Sequence, residues 1–302
     1  MTSPSNSVNR RPSEIDTEDS FNDSVHLDDS WFYGPPKKRQ ALSHDGKENS
    51  LSPKMGRTWR ASLVEKSLGE LEIFPKQRLA LAKLDDMSKS FRNTRIFSFE
   101  MPGHSDGERR YVVTTLERFW TWYNSLNERH LYELIPESSP CRLYFDLEFS
   151  KKTNSDISHE NVYKHFMDTV ESLLKSEFDL DVDPVEEFLV LDSSTEDKFS
   201  AHVICHLPNG VLFPSNTAIR PFSVKLAEAL LEDAPAKIWN SDGTKETFLF
   251  DSAVYTKNRN LRLFMSSKLG KSSVLKLADY CSFYGSKKPT EQEIFYDSLC
   301  VP

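Results

Sequence analysis

Residues 143–149 read LYFDLEF, and the two acids in this otherwise apolar stretch decide how the chain is read. Successive side chains of a strand point to opposite faces, so Leu143, Phe145, Leu147 and Phe149 share one face while Tyr144, Asp146 and Glu148 share the other. At a rise of about 3.3 Å per residue, the Cα atoms of Asp146 and Glu148 lie roughly 7 Å apart on one side, near enough for both carboxylates to converge on a single cation. A half-buried antiparallel strand showing its polar face to water accounts for the same pattern. The rest of the chain has to separate the two.

The chain has 302 residues, a formal net charge of -8 and 38% hydrophobic residues, low for a fully packed chain of this length. Residues 1–56 are rich in Ser, Asn, Asp, Pro and charge and poor in aliphatics, so a disordered tail is expected there. From Arg57 the apolar periodicity runs on to the end, leaving roughly 240 residues, enough for one large domain or two joined modules. No apolar run approaches the ~20 residues that cross a bilayer, and the opening MTSPSNSVNRRPSE lacks the core of a secretory signal. The expectation is a soluble intracellular chain with no membrane partner. Cys141, Cys205, Cys281 and Cys300 are widely spaced, so neither a disulfide framework nor a zinc site is visible.

Three short motifs mark the tail. GPPKKRQ, with Lys37, Lys38 and Arg39, has the style of a nuclear import tag, and GKENS, with Lys47, Glu48 and Asn49, that of a cell-cycle degradation tag. HLDDSWFYG places Trp31, Phe32 and Tyr33 after Asp28 and Asp29, a composition suited to docking on a basic groove of a protein partner. A solvated spacer explains each of the three equally well.

Along the folded part, FPKQRLALAKLDDM predicts a helix, and RIFSFEM and RRYVVTT predict strands joined by the turn residues PGHSDGE. LERFWTWYNSLNERHLYEL predicts an aromatic helix with Phe119, Trp122, Tyr123 and Leu126 as core. After the acidic strand, SHENVYKHFMDTVESLLKSEF predicts an amphipathic helix with Val162, Phe166, Val170 and Leu173 on its stripe. EEFLVLDSST and KFSAHVICHLP predict a strand pair, AIRPFSVKLAEALLED a helix, and ETFLFDSAVY and NLRLFM two closing strands. The fold class is α+β, with a sheet that carries the polar groups.

Those groups sit on strand faces where packing alone would not ask for them. Asp146 and Glu148 are the first set. In KFSAHVIC, Phe199, Ala201, Val203 and Cys205 form the apolar face, so Ser200 and His202 stand together on the other. Asp251 ends the apolar run of TFLFDSAVY. A lone strand histidine is usually a structural hydrogen-bonder and a lone acid at a strand end a turn cap, so each is weak by itself. From Ser252 to Lys276, however, Lys257, Arg259, Arg262, Lys268, Lys271 and Lys276 occur without one acid. In a chain of net charge -8, that run beside carboxylates suggests a ligand carrying phosphates as well as a metal; a solvated basic face is the plainer account. Three carboxylates next to a basic pocket suit metal-dependent phosphoryl or nucleotidyl transfer, with Arg and Lys on the triphosphate and a His donating to a phosphate oxygen.

The strings CRLYFDLEF, LDSSTEDKFSAHVI and FLFDSAVYTKNRNLRLFMSSKLGK, in this order, closely resemble the three catalytic motifs of eukaryotic PrimPol, a primase-polymerase family of the archaeo-eukaryotic primase superfamily. The likeness covers Arg57 to the C-terminus. It implies two mixed α/β modules, here residues 57–140 and 141–302, the second with an RRM-like sheet, and template-directed synthesis with Mn2+ or Mg2+ as a two-metal site. Residue by residue, it implies that Asp146, Glu148 and Asp251 are catalytic metal ligands. It also implies that Ser193, Lys198, Ser200, His202, Arg262 and Lys268 hold the incoming dNTP or NTP, with Arg109 as an arginine of the first module and Arg259 as a nucleotide or template contact.

Two departures stand out: Ala253 replaces an expected glycine, and the family's Cys/His zinc-binding module, associated with primer initiation, is not present up to Pro302. Extension is therefore the activity implied more firmly than priming. The resemblance places the chain in DNA damage tolerance, on a primed or single-stranded DNA template, in the nucleus. A mitochondrial site rests on the family alone, since Glu14, Asp16, Glu18 and Asp19 do not suit a transit peptide. The rival readings are a template or single-strand binder that has kept the fold but not the reaction, and a metal-dependent nuclease, which leaves the basic run after Asp251 unexplained.

Overall fold

The computed structural model describes residues 71–100, 108–232 and 237–302; the expectations for the N-terminal tail and for nearly all of the turn at 102–108 lie outside the described residues. In chain order the elements are β1 (Glu72–Phe74), α1 (Gln77–Ser88), β2 (Thr94–Glu100), β3 (Arg109–Thr115), α2 (Leu116–Asn124), β4 (Leu131–Ile135), β5 (Leu143–Ser150), α3 (His159–Phe178), α4 (Pro184–Glu187), β6 (Phe188–Asp192), β7 (Lys198–Cys205), α5 (Arg220–Glu232), β8 (Ile238–Trp239), β9 (Glu246–Thr247), β10 (Arg259–Arg262), β11 (Lys276–Leu277) and α6 (Glu291–Asp297). The class is α+β, as the interspersed helices and strands of the sequence require.

Local chemistry sets the helix ends. The Ser158 side chain accepts the Asn161 N–H to start α3, which stops where Asp179 turns left-handed at φ 55°. Thr290 and Glu293 form a reciprocal capping box on α6. The buried stripe of α3 is Val162, Phe166, Val170 and Leu174; Leu174 replaces the predicted Leu173 because the stripe keeps its four-residue spacing.

The strands form a five-stranded sheet in the order β1-β3-β2-β4-β10, a four-stranded sheet in the order β11-β6-β7-β5, and the small pair β8-β9. All of these pairings are antiparallel. β10, from late in the chain, thus completes a sheet built otherwise from its beginning. On one face of that sheet α1 inserts Ala80 between Ile96, Val113 and Leu134. On the other, Phe97 stacks on Phe119 of α2, which also meets Phe295 of α6. In the second sheet Phe145 meets Phe166 of α3 edge-on, so the apolar face of β5 is covered by helix and its acidic face is left for other work. Among the described residues no helix is long and apolar enough to cross a membrane.

Two expected elements are different. LERFWTWYNSLNERHLYEL is not one helix: α2 stops at Asn124, and Leu131–Ile135 is strand β4, with all five residues buried between β2 and β10. The helical spacing of the aromatics upstream masks the two-residue alternation of Leu131, Glu133 and Ile135 against Tyr132 and Leu134. Nor is ETFLFDSAVY a regular strand. Only Glu246–Thr247 pairs, with β8, while Phe250 makes a single bridge to Leu147 and Ser252–Val254 forms a 3-10 turn.

One buried and one half-buried polar group make the fold sensitive to mutation and to pH. Glu133 accepts the N–H of Val301 on Oε1 and that of Cys300 on Oε2, both at 2.8 Å. Burial pushes its carboxyl up against the pull of those donors and of Arg95 and Arg142. Glu133→Ala orphans both donors and is expected to cost about 3 kcal/mol in denaturant unfolding, at 1–3 kcal/mol each; a loss under about 1 kcal/mol would mean that water replaces the carboxylate. His206 donates from Nε2 to the Asp297 carbonyl at 2.8 Å, and burial, then Arg142, depresses its pKa. The folded chain binds this proton less readily than the unfolded chain, so the contribution of His206 is complete above about pH 6.5 and is lost as pH falls through the folded value. Melting curves of His206→Gln should show a shallower fall in stability than the parent between about pH 6.5 and 5.

Candidate active site

β5 and β7 pair with Asp146 opposite His202 and Glu148 opposite Ser200, so all four side chains stand on one face. The third acid arrives by main-chain bonds. The N–H of Glu148 donates to the carbonyl of Leu249 at 2.8 Å, and the N–H of Asp251 to the carbonyl of Asp146 at 2.9 Å. The Asp251 carboxylate accepts the N–H of Ala253 at 2.7 Å and so caps the 3-10 turn that follows. Ala253 is not among the residues with positive φ, so an alanine fits where the resemblance calls for a glycine.

β10 brings the basic side. Arg262 is buried; its NH2 donates to Ser193 Oγ at 2.7 Å and its NH1 to the Ser273 carbonyl at 3.2 Å. Ser193 Oγ in turn donates to Ser200 Oγ at 3.1 Å, and the N–H of Ser200 to Ser194 Oγ at 3.0 Å. Lys198 pairs with Glu148, Arg259 faces Asp251 at 3.7 Å, and His202 Nε2 faces Asp146 at 3.7 Å. Nδ1 of His202 and Nε of Arg259 and Arg262 are buried without a hydrogen-bond partner. Such orphans inside a polar cluster are donors or acceptors in reserve for a ligand.

The electrostatics follow from burial and crowding. Burial, and next the charge of Asp146, push Asp251 up to about 6. Burial also raises Asp146, against the opposing effect of Lys268, Arg259, Arg262 and Lys198. Burial, then Arg262, Lys268 and Arg259, hold His202 well below the usual imidazole range, so the ring is neutral at neutral pH.

The donor set fits a divalent cation. Asp146, Glu148 and Asp251 supply hard oxygen ligands from adjoining backbone, and the repulsion from Asp146 and Glu148 that adds to burial in raising Asp251 is what a cation relieves. As they stand, no three acid, His or Cys side chains among the described residues close round one point. Lys198 takes Glu148, while Asp251 is held by Ala253 and faced by Arg259.

Arg109 takes its carboxylate partner from the first sheet. It is paired with Glu100 at 3.1 Å and lies 4.7 Å over the Tyr132 ring. Tyr132 is directly opposite Arg262 across β4 and β10, so Arg109 and Arg262 share a face of the first sheet. Lys268 is exposed in the loop after β10. The sequence reading missed Glu100, Tyr132 and Ser194; the alternation in Leu131–Ile135 was the available signal for Tyr132, and nothing local marked Glu100. A cleft of about 550 Å³ lies elsewhere, between Leu81, Leu84, Arg95, Glu133, Pro136 and Val301, and none of the candidate residues lines it.

Residues 106–281 match the family described as the C962R protein N-terminal AEP domain. A DNA-directed primase/polymerase protein of Danio rerio is 31% identical over 283 residues, covering 82% of this chain and 52% of that protein. The protein of the same name from Homo sapiens is 30% identical over 243 residues, covering 59% of this chain and 43% of that protein. A putative primase of Ostreid herpesvirus 1 (isolate France) is 26% identical over 152 residues, covering 47% and 13%. The chain spans about half the length of the vertebrate proteins it matches. Since the matched region takes in more than half of the residues, and with them β5, β7, Asp251 and β10, the chain belongs to the AEP family, the archaeo-eukaryotic primases.

Proposed function

We propose that this chain is the catalytic core of a DNA-directed primase-polymerase, which joins incoming nucleotides on a primed or single-stranded DNA template. The observation that carries the reading is the register that sets Asp146 and Glu148 against His202 and Ser200, with Asp251 hydrogen-bonded alongside. Asp146, Glu148 and Asp251 would hold Mn2+ or Mg2+. When bound, such a cation lowers the pKa of an attacking 3'-hydroxyl and neutralises charge on the leaving phosphates.

The other residues bind and orient. Arg262 is fixed by Ser193 and Ser273 and offers a rigid cation to the triphosphate. Ser200 and a neutral His202 offer hydrogen bonds to phosphate oxygens. Lys198 and Lys268 add charge from the rim, and Arg109 and Arg259 extend the contacts toward nucleotide and template. The names of the similar proteins support synthesis on DNA. We place the activity in DNA damage tolerance, translesion synthesis and replication restart in the nucleus, on the strength of the family resemblance and the basic run Lys37–Arg39. The acidic-aromatic stretch Asp28 to Tyr33 is then the contact for a protein partner.

Primer extension with Mn2+ tests the reading. The Asp146→Ala, Glu148→Ala double variant is expected to lose on the order of a thousandfold or more in rate while still binding template; extension at the parent rate would remove the acids from the chemistry. Lys198→Ala separates function from stability. Its side chain is 40% exposed, so loss of the ion pair should shift unfolding by less than about 1 kcal/mol. The nucleotide KM should rise roughly fivefold, as expected when a binding contact is removed, and an unchanged KM would take Lys198 out of the nucleotide site.

A further inference from the structure

Glu100 ends β2 directly opposite Arg109 of β3. Its carboxylate is 16% exposed and accepts from three different segments. Oε1 takes the Arg109 guanidinium at 3.1 Å and the Tyr132 hydroxyl at 2.9 Å, and Oε2 takes the backbone N–H of Leu269 at 3.0 Å. The first two bonds stay within the sheet. The third reaches out to the loop after β10.

That loop is pinned on both sides of one exposed lysine. Before it, the N–H of Ser267 donates to the Arg129 carbonyl at 2.9 Å. After it, the N–H of Lys271 closes a turn on the Lys268 carbonyl at 2.9 Å, with Gly270 at φ 76°, a left-handed conformation that glycine adopts without strain. The peptide joining Lys268 to Leu269 is the one that Glu100 holds. Arg109, Tyr132 and Arg262 share the face of the sheet on which this carboxylate sits, and the charge of Lys268 is felt at both Asp146 and His202.

We infer that Glu100 is a positioning residue of the nucleotide site: through the N–H of Leu269 it sets the turn that aims Lys268 at the triphosphate, while it holds Arg109 on the same face. This rests on the proposed reading of the site. A carboxylate that merely neutralised Arg109 would have no need of the loop, and its loss would act independently of Lys268.

The test uses the parent chain, Glu100→Gln, Glu100→Asp, Lys268→Ala and the Glu100→Gln, Lys268→Ala double variant. Affinity for a fluorescent deoxynucleoside triphosphate is read by anisotropy with Mn2+, and KM and kcat by single-nucleotide incorporation on a primed template. Glu100→Gln and Lys268→Ala should each weaken binding and raise KM about tenfold with kcat changed less than about threefold, and the double variant should fall well short of the hundredfold product of independent groups. Glu100→Asp, which keeps the charge, should recover part of the affinity. Binding by Glu100→Gln within about twofold of the parent, or losses that multiply in full, would overturn the inference. Triphosphate binding without incorporation would overturn the polymerase reading and leave Glu100 to be judged on the binding ratios. Absence of triphosphate binding by the parent would overturn both.

Discussion

The pairing of β5 with β7 is the constraint on which the site depends. A slip of one residue would turn Asp146 and Glu148 into the layer that Phe145 and Leu147 fill, and would bring phenylalanines to the site. The helices prevent it. Phe145 packs edge-on to Phe166 of α3, and Ala201 and Val203 are fully buried in the same core. Burial of the apolar face therefore fixes the position of the polar one, and the acids are located by residues that take no part in chemistry.

The site is a concentration of opposed charges at low exposure. Arg262 is buried and hydrogen-bonded to serines rather than to a carboxylate, while Asp251, with a side chain 6% exposed, faces Arg259 at 3.7 Å and has the charges of Asp146 and Glu148 beside it. Charges held apart in a partly dry cluster cost folding energy that a closed set of ion pairs would lower. That cost is the expected signature of a site whose partners arrive with the ligand. His202 fits the same pattern, since burial and neighbouring cations keep it neutral and it offers a hydrogen bond without adding to the positive charge.

Much of this was legible in the sequence because β5 and β7 alternate cleanly, and alternation fixes faces without knowledge of partners. Asp146 with Glu148, and Ser200 with His202, could be paired on that ground, and the basic run marked the segment holding Arg259, Arg262 and Lys268. Three things were not legible. β4 was hidden by an aromatic helix whose spacing ran on into it. The apolar run before Asp251 reads as a strand that it ends, whereas Asp251 is held by one main-chain bond to Asp146 and by a side-chain cap on a short turn; long-range bonds of this kind leave no local pattern. Glu100 and Leu269 are far apart in the chain, and a contact between a side chain and a distant backbone N–H has no signature in residue type.

The claim that Asp146, Glu148 and Asp251 form one cation site is tested most directly by paramagnetic broadening. Substoichiometric Mn2+ is added to the isotope-labelled chain, and amide signals are followed residue by residue. The account predicts broadening centred on residues 146–148, 200–202 and 251–253, abolished by Asp251→Asn together with Asp146→Asn. Broadening centred instead on the cleft beside Glu133, or unchanged in the double variant, would contradict it.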